Sequence, residues 1–192
     1  MDVIFEATIQ VLLTLGSQSL NTTRVAERAG VSVGTLYQYF PNKHALMAAL
    51  LKRYLEDLAD TMEEACHRCR GKSLSDMISI LINSYADVKI ARPDLSRALY
   101  ALSEQHDGAV VGRSIGLRLH AAMKSMFASC ADYSFEGADI DTVLLLLRKT
   151  MSGTMQAILE VESSSVAIVR AREHLVLLAG AYLERVGKKI ER

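Results

Sequence analysis

The chain has 192 residues, half of them apolar, and its 22 Lys or Arg are balanced by 22 Asp or Glu, so the formal net charge is zero. That is enough length and apolar content for a sizeable core, and an odd count of three cysteines excludes a closed disulfide framework. The longest apolar stretch, Leu175 to Leu183, is about half of the roughly 20 residues a membrane span needs, and acidic Glu6 stands where a secretory leader would be basic. A cytoplasmic protein with no membrane partner is expected.

Periodicity is helical from the start. Ile4, Ala7, Val11, Leu12 and Leu15 form an apolar stripe that Gly16 should end. Residues 21–40, NTTRVAERAGVSVGTLYQYF, then predict two short helices joined by a tight turn. Asn21 is a favoured N-cap, and Val25, Ala26 and Ala29 give the first helix a short apolar stripe. Gly30 tolerates the positive φ that stops a helix, Val31 plugs the corner, and Ser32 caps a second helix with Leu36 and Phe40 at i and i+4 on its buried side.

Left facing outward are Val33, Gly34, Thr35, Tyr37, Gln38 and Tyr39. A free surface helix normally carries Lys and Glu, whereas this set offers hydroxyls, an amide and a glycine. Gly34 and Val33 permit close approach to a base edge or a thymine methyl, Gln38 can pair with a base edge, and Thr35 can hydrogen-bond in either sense. Tyr37 and Tyr39 suit phosphates. The plain alternative is a helical hairpin inside a core with two half-exposed tyrosines.

The run TTRVAERAGVSVGTLYQYFPNKHAL resembles the DNA-binding domain of the tetracycline-repressor (TetR) family of bacterial regulators, through the pattern A-x-x-A-G-V-S-x-G-x-L-Y-x-Y-F-x-x-K. The motif covers about an eighth of the chain. The resemblance implies that Thr22 and Thr23 touch phosphates, that Val33, Gly34, Thr35 and Gln38 face bases, and that Tyr37, Tyr39 and Lys43 clamp the backbone. It also implies a double-stranded DNA operator as partner. Members often carry a basic arm before the first helix, but here Met1 leads directly into DVIFEATIQVLLTLG. Unless the true start lies upstream, binding through major-groove and phosphate contacts with a shallow salt dependence is expected. Charge agrees: up to Arg53 there are five Lys or Arg against three Asp or Glu, a weak basic surplus confined to the reading head.

Beyond the motif, Asn42 after Pro41 opens a long helix with Leu51, Leu55, Leu58 and Met62 on one face. After the break at Gly71, Lys72 and Ser73, the residues Leu74, Met77, Ile78, Leu81, Ile82 and Tyr85 mark an amphipathic helix. Pro93 ends it and opens the next, which runs to about Glu104. A turn is expected at Gly108. Leu119, Met123, Met126, Phe127 and Cys130 define a further helix, Asp139 opens a segment to about Glu162, and the last helix spans about 166–186. No alternating strand is evident. The expected fold is all-α with about nine helices: a three-helix helix-turn-helix domain over 1–45 and a larger ligand-binding and dimerisation bundle over 46–192.

The last two helices are too apolar for a single buried stripe, since Val143 to Leu147 is apolar all round and so is most of Leu175 to Leu183. Two helices from each of two chains would hide the second face, with Leu144, Leu147, Ser152, Gly153, Leu175, Leu178, Ala179 and Tyr182 as interface candidates. A homodimer placing two heads on a twofold axis requires a palindromic site with half-sites about 34 Å apart, or a multiple of that. Leu81, Tyr85, Leu102, Leu119, His120, Met123, Phe127, Met151 and Met155 are candidates for the wall of a small-molecule effector site. The methionines suit an adaptable apolar cavity, although any one of the nine is as readily plain core.

Two other motifs compete. Gly112-Arg113-Ser114-Ile115-Gly116 matches G-x-S-x-G, with Asp139 or Asp141 and His174 in hydrolase order, but the apolar run before it is too short for the central strand that a nucleophile elbow needs. Cys66-His67-Arg68-Cys69 has C-x-x-C spacing, yet no further zinc ligands stand nearby. The expectation is a ligand-responsive transcriptional regulator, a repressor with no enzymatic activity, cofactor or metal. A helical hydrolase using Ser114 and a helical protein–protein interaction module are the alternatives.

Overall fold

A computed structural model describes residues 1–103, 106–161 and 165–191, with backbone alone at 106–110 and 165. Among the described residues it contains nine α-helices and a single pair of two-residue strands, so the fold is all-α but for that pair. Two compact units are present, Met1–Leu55 with Asp94–Gly112, and Glu56–Pro93 with Arg113–Arg192. The first therefore reaches past residue 45 and takes in a later segment of the chain.

In the first unit, α1 (Asp2–Ser19) buries Ile4, Ala7, Ile9, Val11 and Leu12, together with Thr8, whose hydroxyl donates to the Ile4 carbonyl at 2.7 Å. Gly16, with φ 75° and ψ 166°, is non-helical and breaks the regular helix as expected, with a short helical continuation beyond it to Ser19. Leu15, expected on the buried stripe, is exposed at the end of the regular helix, next to Gly16. Next come α2 (Thr22–Ala29), α3 (Val33–Tyr39) and the start of α4 (Lys43–Cys69), where Asn42 Oδ1 accepts the Ala45 N–H at 2.9 Å. Leu36, Leu46 and Leu50 share the core with Leu95, Leu99 and Leu102 of α6 (Pro93–Ser103). Glu104, the expected end of α6, lies outside the described residues.

The second unit contains the rest of α4, then α5 (Leu74–Ala91), most of α7 (His106–Phe127), α8 (Ile140–Val161) and α9 (Ser165–Val186). Helix α9 packs against both α5 and α8. Arg118 of α7 grips Glu63 of α4 with two bonds of 3.0 and 2.6 Å and reaches Asp60 at 2.8 Å. The loop after α7 is tied to the start of α5 where Asp132 Oδ1 accepts the Leu74 N–H at 2.7 Å.

The turn expected at Gly108 is absent, since α7 runs through it. A helix tolerates glycine at about 1 kcal/mol when its other residues favour the conformation. Glu162, the expected end of α8, lies outside the described residues. Sequence also missed β1 (Tyr133–Ser134) and β2 (Lys188–Lys189), which pair antiparallel with Tyr133 opposite Lys189, because two residues cannot display an alternation. No helix among the described residues is long and apolar enough to cross a membrane.

Candidate nucleic-acid interface and helical unit

Local chemistry shapes the reading head. The Asn21 side chain accepts the Arg24 N–H at 2.9 Å to begin α2, and Gly30 ends it at φ 68°, ψ 29° while its N–H returns to the Ala26 and Glu27 carbonyls. Val31 donates to Ala26 at 3.0 Å and packs on the core of the first unit. Ser32 Oγ accepts the Thr35 N–H at 2.9 Å and lies 2.8 Å from Thr35 Oγ1, so one serine both caps α3 and fixes the threonine rotamer. Leu36 is wholly buried. Phe40, one residue beyond α3 in extended conformation, is buried too and donates its N–H to the Leu36 carbonyl.

With those two side chains inward, the opposite face of α3 is open. Gly34, Tyr37, Gln38 and Tyr39 are exposed, while Val33 and Thr35 are half-buried. A Cβ at Gly34 would meet only Ser32 Oγ, at 3.7 Å, so the missing side chain is not demanded by packing within the chain. Thr23 is exposed, Lys43 is half-buried, and Thr22 is buried with its hydroxyl donating to Tyr37 Oη at 3.1 Å. That contact orients the Tyr37 ring and engages the Thr22 hydroxyl, a role its sequence position did not announce.

The nine effector-wall candidates separate. Leu102 belongs to the core of the first unit. In the second, Leu81, Tyr85, Met123, Phe127, Met151 and Met155 are buried and Leu119 is half-buried. His120, also half-buried, has Nε2 2.8 Å from Asp141 Oδ1, which Lys124 also reaches at 2.7 Å; these two contacts hold the Asp141 carboxyl below its usual range. A cavity of about 390 Å³ at the end of α7 is lined by Lys124, Phe127, Tyr133, Phe135, Ile140 and Ile190 among others, and of the nine candidates only Phe127 touches it.

The interface candidates also fall on two sides. Leu144, Leu147, Leu175 and Ala179 are buried within the protomer, and Ser152 and Tyr182 are half-buried. Gly153 and Leu178 face outward. Beside them stand exposed apolar residues that the sequence did not single out, Leu145 and Leu146 on α8 and Val166, Val169 and Leu177 on α9, the last 68% exposed. Where a helix is apolar all round, composition cannot say which side faces in.

A family model described as bacterial regulatory proteins of the tetR family matches residues 4–50, and one described as a tetracyclin repressor-like C-terminal domain matches residues 73–183. The chain belongs to the TetR family. It is a transcriptional regulator with a DNA-binding domain, and the matched N-terminal stretch contains the capped helix pair described above. Among curated relatives of this TetR-family chain, the HTH-type transcriptional repressor KstR of Mycolicibacterium smegmatis is 43% identical over 53 residues, 28% of this chain and 26% of KstR. The Fatty acid metabolism regulator protein of Bacillus subtilis (strain 168) is 33% identical over 61 residues, 32% of this chain and 31% of that protein. The match thus spans no more than about a third of either relative's length.

Solved structures resemble the TetR-family chain over nearly its whole length. The transcriptional regulator FadR from Bacillus subtilis, in complex with stearoyl-CoA, has a TM-score of 0.75 at 17% identity, covering 93% of this chain and 97% of that one. A TetR-family regulator from Streptomyces coelicolor has a TM-score of 0.64 at 24% identity, covering 96% and 98%.

The two competing motifs take ordinary places in this fold. Ser114 is exposed within the continuous helix α7, with none of the strand-to-helix turn that a nucleophile elbow requires. Cys66 and Cys69 are buried near the end of α4, and burial, reinforced by Cys69 and Glu63, pushes the Cys66 thiol up to about 12. Such a thiol stays protonated and unreactive. Among the described residues no three His, Cys, Asp or Glu side chains are placed to hold a metal ion.

Proposed function

We propose that the chain is a one-component repressor that binds a palindromic operator as a cytoplasmic homodimer and is released by a small, largely apolar effector, with no catalytic activity of its own. One observation carries the DNA-binding part. The outward face of α3 offers Gln38, Thr35 and a glycine free of packing demands, while Leu36 and Phe40 anchor the helix from behind. Such a face lets backbone approach a base edge, and Gln38 and Thr35 supply directional hydrogen bonds. Thr23, Tyr37, Tyr39 and Lys43 flank it as phosphate contacts, and Thr22 acts by holding Tyr37.

Exposed leucines and valines on α8 and α9 support a twofold interface, because an apolar surface of that kind on a soluble chain calls for a partner. The effector part is supported by the buried methionines and leucines of the second unit and by the likeness of fold to a regulator solved with stearoyl-CoA. To move operator occupancy from bound to free, an effector must discriminate between two states by about 5 kcal/mol.

A gel shift with DNA from upstream of the chain's own gene, repeated across salt concentrations, tests the proposal. Specific, salt-sensitive retention by a dimer is the expected result. Retention of no DNA, or of every sequence equally, would remove the operator from the account.

A further inference from the structure

Beyond the end of α7 the chain builds a cavity from aromatic side chains. The N–H groups of Ala128, Ser129 and Cys130 bond back to the carbonyls of Lys124, Met126 and Phe127 and close the helix. Past that turn β1 is pinned to β2, with Tyr133 opposite Lys189 and the Ile190 N–H bonded to the Asp132 carbonyl at 2.9 Å. Phe135 then meets Phe127 edge-on, ring centres 5.5 Å apart at 71°. Both Tyr133 and Phe135 lie against Gly187, where a Cβ would come within 3.2 Å and 3.0 Å of their rings, so a bare glycine just past α9 seats the two. The cavity of about 390 Å³ falls within the roughly 300–1,000 Å³ of small-molecule sites, and its wall is these three rings with Ile140 and the 41% exposed Ile190.

Two charged side chains line it, Lys124 and Glu136, and they are not equivalent. Lys124 Nζ bonds Asp141 Oδ1 at 2.7 Å, and this bond, with the one from His120, holds the Asp141 carboxyl below its usual range, so the lysine faces a carboxylate that stays ionised. Glu136 is fixed through its backbone: its N–H donates to Ser134 Oγ at 3.2 Å, and Gly137 turns the chain at φ 86°. Among the described residues no cation pairs with the Glu136 carboxylate. Lys188 and Lys189 are exposed on β2 and do not line the cavity. The charge left over at the aromatic wall is therefore negative. A carboxylate beside aromatic rings suits an organic cation, whose charge is drawn by both the carboxylate and the ring quadrupoles while its carbon surface covers the apolar wall.

We propose that this cavity binds a small organic cation, a quaternary or tertiary ammonium carrying an aromatic or short alkyl group, with Glu136 as the counter-charge and Tyr133, Phe135 and Phe127 as the wall. The site stands apart from the effector reading, since of the nine effector-wall candidates only Phe127 touches it. Its loss would leave the operator, the dimer and the apolar effector as they stand.

The test uses the full chain and three one-ring probes of different charge: benzyltrimethylammonium, benzyl alcohol and phenylacetate. In titration calorimetry benzyltrimethylammonium should bind about tenfold more tightly than the other two, a margin that narrows at high salt because Glu136 is exposed. Glu136→Gln should lose most of that margin while leaving benzyl alcohol unchanged. Ala128→Trp sets a large side chain at an exposed lining residue and should weaken every probe without lowering the melting temperature of the free protein. Tyr133→Phe keeps the ring and should bind as the wild type does. Tighter binding of phenylacetate would assign the site to Lys124, and equal binding of benzyl alcohol would leave an apolar cavity with no preference of sign; either result overturns the proposal. An unaltered margin in E136Q, full affinity in A128W, or no binding of any probe up to about 10 mM overturns it as well.

Discussion

Lys89 turns burial into a dependence of stability on pH. It lies in the last turn of α5, 2% exposed, with its ammonium 5.4 Å from the centre of the Tyr85 ring, and burial pushes its pKa from 10.5 down to about 7. The unfolded chain retains the ordinary value. Between those two values the unfolded state still holds a proton that the native state has shed, so stability must climb as pH rises through that window. Below about pH 7 both states are protonated, and the cost of burying the charge is complete and nearly constant. Linkage at about 1.4 kcal/mol per unit gives roughly 2 kcal/mol of added stability between pH 7 and pH 9 from this lysine alone. Lys89→Met keeps an unbranched apolar stem and abolishes the titration. Urea denaturation of both proteins at pH 6, 7, 8 and 9 isolates the effect, since the other titrating groups cancel in the difference. From pH 7 to 9 the wild type should gain about 2 kcal/mol on the variant, whereas from pH 6 to 7 the gap should barely move. A gap constant to within about 0.5 kcal/mol over the whole range would mean that the native lysine keeps its proton, and the linkage reasoning would fail.

Leu36→Ala empties a fully buried site behind α3 and should cost about 2–5 kcal/mol in urea unfolding; a loss under about 1 kcal/mol would show that the head does not depend on this side chain. In DNA binding, Lys43→Ala should weaken all sequences alike and flatten the salt slope, whereas Gln38→Ala should relax preference at one base pair, both read by competitive gel shift. Leu177→Glu on the exposed face of α9 should convert a dimer to a monomer in sedimentation while leaving the helical content unchanged; a dimer that survives the substitution would place the interface elsewhere.

Sequence was informative wherever one local hydrogen bond settles the backbone. Asn21, Ser32 and Asn42 each accept the N–H three residues on, and Gly30 alone bears the positive φ at the corner, so the helix pair could be read from twenty residues. It was misleading where the outcome depends on distant parts of the chain. Gly108, read as a turn, leaves α7 unbroken, whereas Gly16 does interrupt the regular helix. Glycine lowers the cost of a break, but flanking contacts decide whether one occurs. The contact between Tyr133 and Lys189 joins two pairs of residues far apart in the chain and leaves no periodic trace.

The same distinction governs the functional residues. On α3 the apolar positions are few, so Leu36 fixes the phase of the helix, and Tyr37, Gln38 and Tyr39 follow as the exposed set. On α8 five consecutive apolar residues carry no phase at all. Leu144 and Leu147 turn in and Leu145 and Leu146 turn out, which only packing against neighbouring helices decides. Yet the surplus of apolar residues that erases the phase is itself a signal. A helix that buries Leu144, Leu147, Met151 and Met155 has met the needs of one core, and the exposed Leu145 and Leu146 are the part of the surplus that the proposed dimer would cover.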